Sequence, residues 1–244
     1  MFTVEARDRA RARLLELAES DPAVVGAAIT GSYVVGRSDE WSDIDLAFAV
    51  DGPLEPALGR WADVLVHEFG ALHYWDLPWA SSVYRVFLLP DWLQVDIFFT
   101  PAAEFGARGP NWRTVFGETV ELEASAPPAR DPLIGWAWVL LRHGHACVAR
   151  GRPWQAEWCI SGVRDNVLAL ACLRLGYATR YARDADRLPA EVTAPLEAAL
   201  VSSLDEAELR RALAAAGTAL ADELNRTDAE LGARLRPLLV DQLR

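Results

Sequence analysis

One short run near the amino terminus constrains this chain more than its composition does. Asp43-Ile44-Asp45-Leu46-Ala47-Phe48-Ala49-Val50 alternates polar and apolar side chains, then becomes continuously apolar. A period of two marks a strand, and the change of pattern marks a strand whose first end leaves the core. Residues i and i+2 of a strand project from one face. Asp43 and Asp45 therefore point together, while Ile44 and Leu46 point into the core. Carboxylates held that close repel each other unless a cation or a proton lies between them.

The segment Trp92–Phe99 repeats the logic. Leu93, Val95, Ile97 and Phe99 form one face, and Asp96 lies on the other with Gln94. A carboxylate in a strand centre is costly unless it is paired or bound to metal. Three carboxylates converging from two neighbouring strands suit a hard, oxygen-seeking ion such as Mg²⁺. Upstream, Val24–Thr30 reads as a short buried strand, followed by Gly31-Ser32 and then Tyr33–Arg37. A strand that turns through Gly-Ser into a short helix offers backbone N–H groups and a hydroxyl to an anion. Arg37, Ser38 and Ser42 add donors close by. An Asp-x-Asp pair alone reads as surface acids at a strand end. The combination is far more specific.

That combination resembles the nucleotidyltransferase superfamily typified by DNA polymerase β. The shared pattern is Gly-Ser, a spacer, Asp-hydrophobic-Asp-hydrophobic, and a third carboxylate on a later strand. Here it is met by Gly31-Ser32, Tyr33 to Ser42, Asp43-Ile44-Asp45-Leu46, and Asp96. The run Gly36 to Asp43 is most similar to the small antibiotic-modifying branch, which includes the kanamycin, streptomycin and lincosamide nucleotidyltransferases. The later half of the chain resembles that branch only in being helical.

The resemblance implies metal-dependent transfer of a nucleoside monophosphate from a nucleoside triphosphate, most simply ATP, with release of pyrophosphate. The acceptor it implies is a hydroxyl of a small molecule such as an aminoglycoside-type antibiotic. Asp43 and Asp45 would bind both of two Mg²⁺ (or Mn²⁺) ions, and Asp96 would help bind the catalytic one. Gly31 and Ser32 would hold terminal phosphates, with Arg37 and Ser42 as further candidates. Two other readings belong beside this one. A protein-modifying, antitoxin-like nucleotidyltransferase is disfavoured by the large helical appendage. A catalytically inactive nucleotide-binding regulator is disfavoured by the three intact aspartates.

A chain of 244 residues with 52% hydrophobic residues has ample material for a core, in one large domain or two small ones. Its net charge of −11 disfavours a nucleic-acid substrate, whose backbone needs a basic track. All 24 basic residues are arginine, which binds phosphate bidentately and stays charged. Cys147, Cys159 and Cys172 form no paired spacing, and the odd count argues against a disulfide framework. His143 and Cys147 lie four apart on an expected helix, a spacing that reads as ordinary core and surface rather than zinc. There is no basic, apolar N-terminal leader and no apolar run of about 18 residues. The expectation is a soluble, cytoplasmic monomer or homodimer with no membrane contact.

The expected architecture is an α/β (α+β) nucleotidyltransferase domain with a mixed sheet over residues 1–125, followed by an all-helical substrate-binding bundle over 126–244. The small-molecule acceptor is expected between the two. A helix from Thr3 to Ala18 precedes the first strand, and a second from Leu54 to Phe69 covers the sheet. Strands are expected at Ala71–Trp75 and Val83–Leu89, with Pro90-Asp91 turning into the Asp96 strand. Pro101–Gly117 reads as a covering loop or short helices, and Glu121–Pro132 as the linker. Helices follow at Pro132–Ala149 and from Pro153 to about Leu175, with Gly176 just past the end. Two or three more run to Arg244. In the second of these helices Glu157, Ile160 or Ser161, and Arg164 share a face, since seven residues make about two turns. Glu157 is the candidate general base, with Trp154 and Trp158 as walls of an acceptor pocket. The plainer alternative packs both tryptophans inward beside an incidental Glu157–Arg164 pair. Arg142, His143 and His145 read as helix surface by the same caution.

Overall fold

The computed structural model describes residues 1–124 and 126–240. Ser125 of the expected linker and residues 241–244 of the expected last helix lie outside them. The chain forms two compact units, Met1–Ser125 and Ala126–Arg244.

The first unit is a mixed sheet with helices on one face. Its elements are α1 (Val4–Ser20), β1 (Val24–Thr30), β2 (Ile44–Val50), α2 (Leu54–Glu68), β3 (His73–Trp79), β4 (Ser82–Leu88), β5 (Gln94–Pro101) and β6 (Trp112–Phe116). Thr3 starts α1 by accepting a hydrogen bond from the Ala6 N–H at 3.2 Å, as an N-cap should. The strand order is β3-β4-β5-β2-β1-β6. β2 and β5 pair in parallel, and the other neighbours are antiparallel. A parallel pair needs a long crossover, which α2 and the β3–β4 hairpin supply. Ile44, Leu46, Phe48, Ile97 and Phe99 are buried against Leu14, Ala18, Leu58, Trp61 and Leu65 of α1 and α2. The Phe48 and Trp61 rings lie 4.7 Å apart at the centre of this layer.

Two strands depart from the sequence expectation. Trp112–Phe116, expected within a covering loop, is the edge strand β6 on β1. Its side chains are half-buried or exposed, so they carry no core-facing alternation. The strand forms because β1 offers an unpaired edge, which local pattern does not reveal. β3 is also longer than expected and runs on to Trp79. Pro78 does not stop it, because an edge strand tolerates a residue without an N–H.

The second unit is helical: α3 (Arg130–Ala149), α4 (Pro153–Arg174), α5 (Ala190–Glu197), α6 (Glu206–Thr227) and α7 (Ala229–Leu239). No strand occurs in it among the described residues. Leu140, Ile160, Val163, Leu170, Leu213 and Leu220 are part of one apolar core. The Glu223 carboxylate is buried in that core and is held by Arg174 at 2.7 and 3.1 Å and by Arg226 at 3.4 Å. A buried charge persists only with such partners.

Candidate metal centre

Register brings the aspartates together. Asp45 on β2 stands beside Asp96 on β5 in the parallel pair, and Asp43 precedes β2 by one residue. One carboxylate oxygen from each lies within 4.8 Å of the others, and all three residues are half-buried. Among the described residues this is the one group of three side chains able to share a metal ion. The Gln94 amide donates to Asp96 Oδ1 at 2.9 Å. Burial pushes the Asp96 carboxyl up to about 6, with the Asp43 charge adding and the Gln94 hydrogen bond opposing. Removing like charges from water beside one another favours a proton or a cation. The donor set is entirely hard oxygen, with no histidine or thiol, and so fits Mg²⁺ or Mn²⁺ rather than zinc.

Gly31 completes the centre. Its φ is +71°, and a Cβ built there would lie 1.9 Å from Asp45 Oδ2. Only a residue without a side chain lets the β1 end approach that carboxylate. The Gly-Ser signature thus has a local steric cause. Gly31–Tyr33 is a three-residue 3-10 turn rather than the short helix expected, and so has no helix dipole to offer an anion. Ser32 is half-buried within that turn.

The remaining sequence candidates divide. Ser42 closes the loop that leads into Asp43: its hydroxyl donates to Asp39 Oδ1 at 2.8 Å and accepts from the Asp39 N–H at 2.9 Å. That hydroxyl, with the Trp41 N–H, holds the Asp39 carboxyl below the usual range. The Arg37 side chain is exposed, and its backbone N–H donates to the Ser32 carbonyl at 3.0 Å.

Two arginines escaped the sequence reading. Arg7 is only 3% exposed, and its guanidinium donates to the carbonyls of Asp39 and of Ser42, the latter at 3.1 Å. Arg11 lies over the Tyr33 ring, 3.6 Å from its centroid. The two thus hold both ends of the segment between the Gly-Ser turn and Asp43. A signal existed: Arg7, Arg11, Leu14 and Ala18 share the buried stripe of α1.

Glu157 belongs to the second unit, on α4. Its Oε1 accepts from the Ser161 hydroxyl at 2.6 Å, and Arg164 donates to that hydroxyl at 2.8 Å. The expected Glu157–Arg164 pairing therefore runs through Ser161. Trp154 and Trp158 are 76% and 65% exposed, so the alternative of inward tryptophans is overturned. Arg142, His143 and His145 are exposed on α3, while Cys147 is buried.

No protein-family model and no curated protein matches the chain. Among solved structures, an aminoglycoside 6-adenyltransferase from Bacillus subtilis is similar over 89% of this chain and 88% of its own, at 11% identity and a TM-score of 0.39. No helix among the described residues is long and apolar enough to cross a membrane.

Proposed function

We propose that this chain is a metal-dependent nucleotidyltransferase of the polymerase-β-like type, acting on a hydroxyl of a small molecule. The observation that carries the reading is the convergence of Asp43, Asp45 and Asp96, with Asp45 set against the side-chain-free Gly31. Three carboxylates so placed would hold one or two Mg²⁺ ions. Such ions supply Lewis acidity to the phosphoryl group and stabilise charge on the entering and leaving oxygens.

The protein's own part is positioning and proton handling. Gly31 and Ser32, with Arg37 free to reach over them, are assigned to the terminal phosphates of the triphosphate. The acceptor oxygen forms a bond to the α-phosphorus, and the bond from that phosphorus to pyrophosphate breaks. The acceptor proton must leave as its oxygen attacks, and Glu157 is proposed as the base that takes it. Ser42 and Arg7 hold the loop before Asp43 and so fix where the first carboxylate points. ATP is the simplest nucleotide donor, and an aminoglycoside-type antibiotic is the acceptor class we favour. The chain's net charge of −11 suits a cationic acceptor better than a polyanion.

The test is pyrophosphate release with each of four nucleoside triphosphates and Mg²⁺, against a panel of hydroxylated antibiotics and sugars. Turnover that requires both the metal and one acceptor supports the reading. Calorimetry showing identical ATP binding with and without divalent ions would sink it. Glu157→Gln keeps shape and removes basicity, so it is expected to lower turnover by roughly 10²–10⁴-fold with ATP binding unchanged. Unchanged turnover would reassign the base.

A further inference from the structure

The aspartates stand in a row that continues across the sheet. Asp45 is the register partner of Asp96, Asp96 of Val86 on β4, and Val86 of Trp75 on β3. Alternate residues of a strand share a face, so Leu77, Trp79, Tyr84 and Leu88 lie on this same side of the hairpin. It is the side away from α1 and α2, whose partners are Phe87, Phe99 and Ile97. Trp75 is 59% exposed, Trp79 45% and Tyr84 40%. A contiguous apolar patch left open on a sheet marks a surface that binds something.

What it binds follows from where it lies. In an in-line displacement the attacking oxygen and the leaving pyrophosphate occupy opposite sides of the phosphorus. With the phosphates at Gly31–Ser32, the leaving group departs on the β1 side of Asp45. The attacking hydroxyl then approaches from the β5 side, and β4 and β3 come next in the strand order. Strands are spaced about 4.7–4.9 Å apart, so Trp75 is rooted about 10 Å from the strand of Asp96, within reach of a ring bound there.

We propose that the exposed aromatic face of the β3–β4 hairpin is the acceptor subsite, and that it takes a ring-shaped hydroxyl compound carrying ammonium groups. The proposal rests on the nucleotidyl-transfer reading and deepens it. Indole and phenol rings present a negative face that attracts cations and a flat one that stacks on other rings. Tyr84 is braced, 4.3 Å from Phe98 and edge-on to Trp79 at 6.5 Å. Trp75 makes no ring pair among the described residues and is the most exposed of these rings.

The experiment measures steady-state pyrophosphate release by the full chain with Mg²⁺-ATP and a panel of aminoglycosides, lincosamides and methyl glycosides. Wild type is compared with Trp75→Ala and Trp75→Phe. The Ala variant is expected to raise the KM of the acceptor about tenfold or more, with the KM of ATP unchanged and the Phe variant near wild type. Matching melting curves show that the variants fold, and Trp75→Gln replaces the Ala variant if it does not. An unchanged acceptor KM overturns the subsite. A rise in the KM of ATP instead means that the nucleobase occupies the hairpin, and also overturns it. If wild type releases no pyrophosphate with any acceptor, the nucleotidyl-transfer reading itself fails and the subsite falls with it.

Discussion

The two faces of the sheet in the first unit are built from the same strands and do opposite work. On one, Ile44, Leu46, Phe48, Ile97 and Phe99 are fully buried beneath α1 and α2. On the other, Asp45 is followed by the small Ala47 and Ala49, which pack with Phe105, Asp96 stands beside Asp45, and the hairpin leaves its aromatic rings exposed. The faces differ by a single step along the chain, because side chains alternate with period two. Stability and chemistry are thereby separated without separate segments of sequence. A one-residue slip of β2 would turn Asp45 toward the core and expose Ile44, Leu46 and Phe48.

That separation can be broken experimentally. Asp43→Asn acts on the open face alone and removes charge that develops no core contact. Losing several kcal/mol of metal-centred stabilisation should lower turnover by roughly 10³-fold or more, with the melting temperature unchanged or raised. A destabilised Asp43→Asn protein would show that the carboxylates also hold the fold. Phe48→Ala is the converse. It empties the space beside Trp61 and Phe99 and should cost about 3–5 kcal/mol in denaturant titrations. The nucleotide affinity of the molecules that remain folded should hold, and a loss there would mean that the faces are coupled.

The next effect links the faces through pH. Burial raises the Asp96 carboxyl to about 6, above its ordinary value of 3.8. A group raised on folding favours the fold only while protonated. Its contribution is complete below the unfolded value, is lost as pH rises through about 6, and amounts to about 1–3 kcal/mol. Unfolding of chelator-treated protein between pH 4 and 8 should show this decline in wild type and not in Asp96→Asn. Added Mg²⁺ should oppose it, since a cation favours the ionised carboxylate. A flat wild-type profile would place Asp96 in water. The smallest expected effect belongs to Arg7→Met, which keeps the bulk in α1 and removes the bonds to Asp39 and Ser42. Groups that orient metal ligands typically change metal affinity by about 10–100-fold when lost, and Mg²⁺ titration should read such a change here. A variant that loses stability but keeps its metal affinity would reduce Arg7 to a packing role.

Local order was legible wherever local chemistry decided it. The alternation at Asp43–Val50 named both the strand and its faces, and the run around Asp96 named the second. Pro153 and Gly176 bracketed α4 because one fits a first helical turn and the other a left-handed end. The sequence by itself also selected the three aspartates and Gly31, since few patterns besides a cation site tolerate such charges in strands. What needed the tertiary structure were the decisions made by neighbours. β6 exists because β1 has an open edge, and Trp112–Phe116 shows no pattern of its own. Gly31 is required because the Asp45 carboxylate fills the space of a side chain. Arg7 is buried because the carbonyls of Asp39 and Ser42, more than thirty residues away, need a donor there. Periodicity and charge are properties of a segment and travel with the sequence. Edge pairing, close approach and the satisfaction of distant carbonyls are properties of what the segment meets, and only the folded chain brings those together.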